Sequence, residues 1–591
     1  MRRIALTVAA LVLAAVPLRA QPGAYTAARR AADSTQALAF FRGNIAAIHH
    51  RDRAAYLRHY LQSPRLARVG PGGVQYGYQP LAAQRDTTWP DTLVATHFEV
   101  VPLSPGVVYG VYRYRVTQGG SSRGVSERVM VRQPDGSWKV SVSTAFGSPG
   151  NAPVPAFALT HATVIDGTGA PPRRDATVVM RGGKVECVGA CPLAPDVEVI
   201  DARGRWIVPG LVDAHVHYSQ TGWADGRPDA LDVRARFPYD SIVAVLEAHP
   251  ERFFRSYLCS GVTATFDVGG YPWTWALRSR AEVSNAAPHV AAAGPLLSTV
   301  DHWVNVPAAR QFVFIGSDSA ALAGARMMVH NHSDAIKVWY LAQETSPDTA
   351  AFQARLRIAA AEARRGGIPL IVHATDLWQA KDALRAAARL LVHSVDDRPV
   401  DDEFIALAKQ AGATYTPTLT VTDGYVMLYA RHFDSTGVPM ACVDPDTRRK
   451  VAITDSLPAA IPEARLAAFR QRVAAQRQTM YANLRRVRDA GIPIAMGTDA
   501  GNPLTLHGAS VFREMEAMGE AGMTPMEVLV ASTRNAARAM GRADIGTLEP
   551  GKLADLVVLD ADPLAAVANL RRIRLVARGG EIWTREELEY R

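Results

Sequence analysis

Beyond its first twenty residues the chain has no apolar run of the length a bilayer-spanning helix needs, so no membrane span is expected. It has no dense basic segment either. The closest groups, Arg173-Arg174, Arg448-Arg449-Lys450 and Arg571-Arg572, are short and lack interleaved aromatics. The formal charge of +9, from 65 Lys+Arg against 56 Asp+Glu, therefore reads as a dispersed, solvated surface and excludes a nucleic-acid face. Cysteine is scarce, at four in 591 residues, so the fold must rest on hydrophobic burial. Charged residues make up only 20% against 48% apolar ones, a balance that excludes a disordered chain. At this length one core is too few, and about two to four domains are expected.

The N-terminus differs from the rest. Met1-Arg2-Arg3 is basic, Ile4 to Val16 is almost wholly apolar, and Pro17-Leu18-Arg19-Ala20 ends on a small residue before Gln21. This is the pattern of a cleaved signal peptide over residues 1–20, and it predicts a periplasmic or secreted chain. No cysteine stands near the cut to take a lipid. Export permits disulfides. Cys187 and Cys191 flank the turn Val188-Gly189-Ala190 and can bridge, with buried free thiols equally open; Cys259 sits in a helix-like run and Cys442 in a polar loop.

Residues 24–150 read as a separate module. Helical spacing runs from Ala27 to Tyr60, with Leu38, Phe41, Ile45 and Ile48 on one face. After Pro64 come strands at His97–Val101, Val107–Val116, Ser126–Arg132 and Ser137–Ser143, the last two joined by a turn at Pro134-Asp135-Gly136. Helices followed by an antiparallel sheet ending in Asp135-Gly136-Ser137-Trp138-Lys139-Val140 resemble the cone-shaped α+β domain of the NTF2-like (SnoaL-like) family. Such a cone serves docking or dimer contacts, or holds a ligand. Gly147 to Pro153 forms a linker.

Beyond the linker, short strands at Phe157–Ile165, Ala176–Met180, Lys184–Val188 and Val197–Asp201 share their texture with Ala554–Leu559 and Ile573–Ala577. Residues 155–205 and 545–591 are thus expected to build one small composite β-sandwich. Between them, residues 206–544 alternate strand-like and helix-like runs. Strands at Trp206–Val212, Val262–Asp267, Val290–Ala293, Ala335–Val338, Pro369–His373, Leu390–His393, Thr414–Leu419 and Ile494–Thr498 predict an α/β fold, a (β/α)8 TIM barrel. Gly424 to Gly491 would be a helical insertion in it.

Polar residues at the strand ends give the barrel its chemistry. His215 and His217 follow the first strand; two residues apart on an extended chain, they share a face and form a natural pair of metal ligands. Lys337, His373, His393 and Asp499 stand at the ends of strands four, five, six and eight, where barrel enzymes place their sites. With Gly261-Val262-Thr263-Ala264-Thr265-Phe266-Asp267, Gly497-Thr498-Asp499-Ala500-Gly501 and Leu548-Glu549-Pro550-Gly551-Lys552-Leu553-Ala554-Asp555, this pattern resembles the metal-dependent amidohydrolase superfamily over about residues 155–585. It looks most like the branch with imidazolonepropionase-like hydrolases, exported Xaa-Pro dipeptidases and ochratoxin-hydrolysing amidases.

The resemblance implies two divalent metal ions, with Zn²⁺ expected and Mn²⁺, Co²⁺ or Fe²⁺ suited by the same donors. His215, His217 and Asp499 would hold one ion, His373 and His393 the other, and Lys337, carboxylated by CO₂, would bridge them. Asp499 would also act as general base and then acid while the metals activate a water. Asp334 near Lys337 leaves a plain salt-bridged lysine open. Tyr340 and His507 are the candidate substrate contacts, whereas His302, His330 and His332 read as structural or surface residues.

Specificity is expected from the loops Tyr218–Tyr239, Thr420–Arg431 and Ala500–Ser510. The first holds Trp223, Arg227, Arg234 and Arg236, and an arginine there can clamp a substrate carboxylate through two parallel hydrogen bonds. The related enzymes split dipeptides and N-acyl amino acids, so the expected reaction is hydrolysis of an amide C–N bond in a small molecule of that kind. A deaminase or cyclic amidase is the alternative; Lys337 argues against it, because deaminating relatives use one metal and no bridging lysine. A non-catalytic periplasmic binding protein is disfavoured by the intact ligand set. The resemblance further implies a homo-oligomer.

Overall fold

The computed structural model describes residues 25–70, 73–83, 92–117, 121–147, 156–307 and 309–590. The signal-peptide segment and most of the linker lie outside these residues. The chain divides into two compact units, Met1–Ala152 and Pro153–Arg591.

In the first unit the helical pattern from Ala27 to Tyr60 is carried by two helices, α1 (Ala27–His49) and α2 (Arg53–Arg58). Arg51 between them takes a left-handed φ of 54°, and Asp52 caps the second helix by accepting from the Ala55 N–H at 2.8 Å. Among the described residues six strands follow: β1 (Ala67–Gly70), β2 (Gly73–Tyr76), β3 (Thr92–Ser104), β4 (Val107–Thr117), β5 (Ser121–Arg132) and β6 (Trp138–Gly147). They form one sheet in the order β2-β1-β6-β5-β4-β3. Phe41 of α1 meets Phe98 and Tyr112 edge-on, which fixes the helix over the sheet.

The second unit opens with a composite sheet. Phe157–Val164, Arg173–Arg181, Lys184–Gly189 and Glu198–Asp201 come from one flank of the barrel, and Leu556–Leu559, Ile573–Arg578 and Glu581–Thr584 from the other. Trp206–Pro209 joins the two sets, parallel to Phe157–Val164 and antiparallel to Leu556–Leu559. The expected first barrel strand, Trp206–Val212, is therefore two strands: Trp206–Pro209 belongs to this sheet and Leu211–Val216 to the barrel. Gly210 separates them, and a Cβ there would lie 2.0 Å from Thr263 Oγ1. Only glycine permits that approach.

All four cysteines are bridged. Cys187 pairs with Cys191, and Cys259 with Cys442 across a sequence separation of 183. The second bond ties the helix Phe254–Cys259 to the turn Met440–Cys442. Closing so long a loop removes on the order of 5 kcal/mol of chain entropy from the unfolded state. A Cys259→Ala/Cys442→Ala variant should melt several degrees lower by scanning calorimetry.

The barrel strands run parallel: Leu211–Val216, Val262–Asp267, His289–Ala292 with its continuation Leu296–Ser298, Ile336–Trp339, Leu370–His373, Leu390–Val392 and Thr414–Thr416. The eighth expected strand is an extended segment held by isolated bridges, Tyr415 to Ile494 and Val216 to Ala500. Hydrogen bonds from Ala214 N–H to Met496 O (3.0 Å) and from Asp499 N–H to His215 O (2.7 Å) close the ring. The insertion contributes helices Val421–Ala430, Pro445–Val451 and Glu463–Asp489. Trp223 of the first loop is buried against it and donates from Nε1 to Thr454 Oγ1 at 3.0 Å. Among the described residues no helix is long and apolar enough to cross a membrane.

Candidate metal centre

The residues expected at the strand ends converge. His217 Nε2 lies 2.9 Å and His215 Nε2 3.3 Å from Asp499 Oδ1, and ligand atoms of all three fall within 4.8 Å of one another. His393 Nδ1 is 3.9 Å from Asp499 Oδ2, and its ring centroid stands 4.9 Å from that of His215 and 4.3 Å from that of His373. Lys337, His373 and His393 line one cavity together with His217 and Asp499.

Burial sets the charge of these groups. Aided by the neighbouring Lys337, it pushes His373 down to about 3 and His215 and His393 well below the ordinary imidazole value. The three rings are neutral and offer lone pairs. Burial also pushes Lys337 down to about 7, against the pull of Asp499 and Asp267. Asp334, the salt-bridge partner left open for Lys337, instead accepts from Ala292 N–H and lies 3.5 Å from Arg278. Both ring nitrogens of His215 and Oδ1 of Asp499 are buried without a hydrogen-bond partner. Orphaned acceptors on neutral imidazoles around a carboxylate fit a divalent cation.

A layer behind the donors aims them. His217 Nδ1–H donates to Gly269 O at 2.6 Å, which turns Nε2 toward Asp499. Gly269 N–H donates in turn to Asp267, pushed up to about 6 by burial. Asp213 accepts from Thr498 N–H at 3.0 Å, Thr498 Oγ1–H at 2.6 Å and His215 N–H at 3.3 Å, so it locks the first barrel strand to the eighth segment. His393, Thr418 and Asp499 hold φ values of 76°, 43° and 61°. That region costs a non-glycine residue about 1 kcal/mol, and surrounding bonds such as His393 Nδ1 to Thr418 Oγ1 (2.7 Å) must impose it.

The cavity over the donors measures about 290 Å³. Its wall includes Arg227, Phe312, Trp339, Leu341, Tyr425 and Asn502. Arg227 donates from Nε and Nη2 to Asp229 at 2.9 and 2.7 Å and from Nη1 to Asn502 Oδ1, which also accepts from Tyr425 Oη–H at 2.8 Å. His302 Nε2 lies 3.6 Å from Asp229 and braces that pair. Arg234 pairs with Asp232 at the surface instead.

Two expected substrate contacts lie elsewhere. Tyr340 is fully buried and donates to Asp382 at 2.7 Å, while its neighbours Trp339 and Leu341 line the cavity. Side chains alternate along a strand, so the inward parity of Lys337 passes to Trp339 and leaves Tyr340 facing the helices. His507 stacks on Phe253 at 3.8 Å, accepts from Tyr257 Oη–H at 2.7 Å and donates from Nε2 to Gln220 O at 2.9 Å. It fastens two loops together and does not line the cavity.

A (β/α)8 barrel with buried imidazoles, a lysine and an aspartate gathered at its strand ends defines a class of metal-binding barrel proteins. Within it, the chain belongs to the amidohydrolase family, whose model matches residues 206–582. Imidazolonepropionase of Geobacillus kaustophilus is 39% identical over 109 residues, 18% of this chain and 26% of that protein. The chain thus spans about a quarter of the length of the first such relatives. Imidazolonepropionase of Streptomyces coelicolor is 28% identical over 434 residues, 70% of this chain and 91% of that one. Among solved structures, a Xaa-Pro dipeptidase with bound methionine in the active site shares the fold, with a TM-score of 0.56 at 21% identity over 73% of this chain and 100% of that one.

Proposed function

We propose that the protein is a metal-dependent hydrolase that cleaves an amide C–N bond in a small carboxylate-bearing substrate such as a dipeptide or an N-acyl amino acid. The observation that carries this reading is the presence, in one cavity, of His217, Lys337, His373, His393 and Asp499 together with the Arg227 guanidinium. His215, His217 and Asp499 would hold one divalent ion, His373 and His393 a second, and Lys337 as a carbamate would join them, with Zn²⁺ the expected metal. Carbamate formation joins the neutral lysine nitrogen to the carbon of CO₂ with loss of one proton, and burial favours that neutral amine. When bound, such ions polarise a carbonyl and lower the pKa of a nearby water.

The protein's own groups do the rest. Arg227 uses three of its five N–H donors on Asp229 and Asn502, and the remaining two are free to take a carboxylate. Phe312 and Trp339 supply an apolar wall for a substrate side chain. Asp499 takes a proton from the attacking water and returns it to the departing amine. The two disulfides support the exported location read from residues 1–20.

The test is a screen of the metal-loaded protein against dipeptides and N-acyl amino acids, reading free amine. Converting the best substrate's carboxylate to a carboxamide should cost ~10²-fold in kcat/KM. Arg227→Met should cost the acid a similar factor, chiefly in KM, and leave the carboxamide unaffected. Ammonia release with a single ion per chain would move the assignment to a deaminase. No amine from any member of the library would reject the reading.

A further inference from the structure

The first unit contains a buried cation of its own. Arg128 of β5 is 5% exposed, and among the described residues no carboxylate pairs with it. Its Nη1 donates to Ser126 Oγ at 2.6 Å and to the carbonyls of Glu127 and Thr144 at 2.9 and 3.2 Å; its Nη2 reaches the Tyr112 hydroxyl at 3.4 Å. Nε has no partner. The adjacent Glu127 is no counter-ion, because its carboxylate accepts from Tyr109 Oη–H and Thr144 Oγ1–H at 2.7 and 3.0 Å. A guanidinium stays protonated at any physiological pH, so burying one among neutral dipoles is unfavourable unless an anion joins it.

Asn44 of α1 poses the same problem from the opposite side. It is wholly buried, and neither Oδ1 nor Nδ2 has a hydrogen-bond partner. It lies three residues after Phe41, hence on the same helix face, and Phe41 rests on Tyr112 and Phe98. Arg128 is paired directly with Gly110 across β4 and β5, and a Cβ on Gly110 would touch Phe41 at 3.0 Å. Arg128 and Asn44 therefore face one another's side of the space between α1 and the sheet. Buried polar groups left without partners in this way cost stability, and a ligand that supplies the partners would remove that cost.

We propose that the first unit binds a small organic carboxylate between α1 and the inner face of its sheet. Arg128 takes the carboxylate. The Asn44 amide adds one donor to it and one acceptor for a hydroxyl or N–H on the ligand body. The stacked rings of Phe98 and Tyr112, 5.7 Å apart at 16°, receive an aromatic or aliphatic body. This site stands independently of the hydrolase reading, since it uses none of the residues of the metal centre.

Calorimetric titration of the full chain tests it, in an Arg227→Met background that removes the arginine of the other cavity. The probes are acetate, benzoate and phenylacetate, with benzamide as the neutral control. We expect saturable binding of at least one acid at about one per chain, with benzamide at least ~10-fold weaker. Arg128→Met should abolish that binding. Asn44→Leu should weaken it ~10-fold while the melting temperature holds or rises, because the variant removes an orphaned amide. This second variant keeps the test decisive if Arg128→Met fails to fold. Equal affinity for benzamide, acid binding unchanged in either folded variant, or no saturable binding of any of the three acids would overturn the site; the last would leave water as the partner of these groups.

Discussion

Replacing Asp499 with Asn should lower kcat by about four orders of magnitude, a barrier increase of ~5.5 kcal/mol, in a protein that still folds. Asp499 is where the imidazoles of His215 and His217 converge, so in the proposed reaction the carboxylate would serve both as donor to a cation and as proton acceptor. Asn keeps the shape and one oxygen, but it carries no charge and takes up no proton. The fold should survive for two reasons. The Asp499 N–H bond to His215 O is a backbone bond that the change does not touch. Asparagine also tolerates the left-handed φ of 61° at this position better than other residues do. Circular dichroism should be unchanged, and metal analysis should show weaker retention of the ion held by His215 and His217. Turnover within tenfold of the unmodified protein would remove Asp499 from the proton-transfer step and sink the mechanism.

The residues of the metal centre were legible in the sequence because they stand within or just after short apolar strands, His215 and His217 sharing one. Strand order and the rule that barrel sites gather at C-terminal strand ends single out His215, His217, Lys337, His373, His393 and Asp499, and the resemblance to the amidohydrolase superfamily supplies their expected roles. Other features of the structure depend on information that hydrophobic pattern does not hold. Trp206 to Val212 is one continuous apolar run, and nothing in it says that Gly210 hands the chain from one sheet to another; the contact with Thr263 does. Proximity to Lys337 suggests Tyr340, whereas strand parity favours Trp339, which does line the cavity. Asp229 and Asn502 were out of reach for a different reason. They matter through Arg227, and Asn502 lies 275 residues from it in the chain. Such pairs follow from loops meeting over the barrel mouth, which local spacing cannot report. The Cys259–Cys442 bond is hidden in the same way, with one partner in a buried helix and the other in an inserted turn.

Replacing Lys337 should separate a carbamate from an ammonium. If Lys337 acted as a cation, arginine would preserve its charge and glutamate would reverse it. If it acts as a carbamate, the required species is an anion with two oxygens, and the order inverts: Lys337→Glu should retain more activity than Lys337→Arg. On the carbamate reading, Lys337→Met should lose on the order of 10³-fold in kcat/KM and about one bound ion per chain, because the anionic donor proposed to hold both ions would be gone. The titration of the lysine adds an independent check. Burial lowers its pKa to about 7, so the neutral amine that attacks CO₂ predominates above that pH and becomes scarce below it. For a protein freed of CO₂ and then supplied with bicarbonate and metal, the rate of reactivation should fall about fivefold between pH 7 and pH 6 at fixed dissolved CO₂, following the neutral fraction. Reactivation that needs no CO₂, together with better activity in Lys337→Arg than in Lys337→Glu, would show that the lysine works through its positive charge and would remove the carbamate from the proposed site.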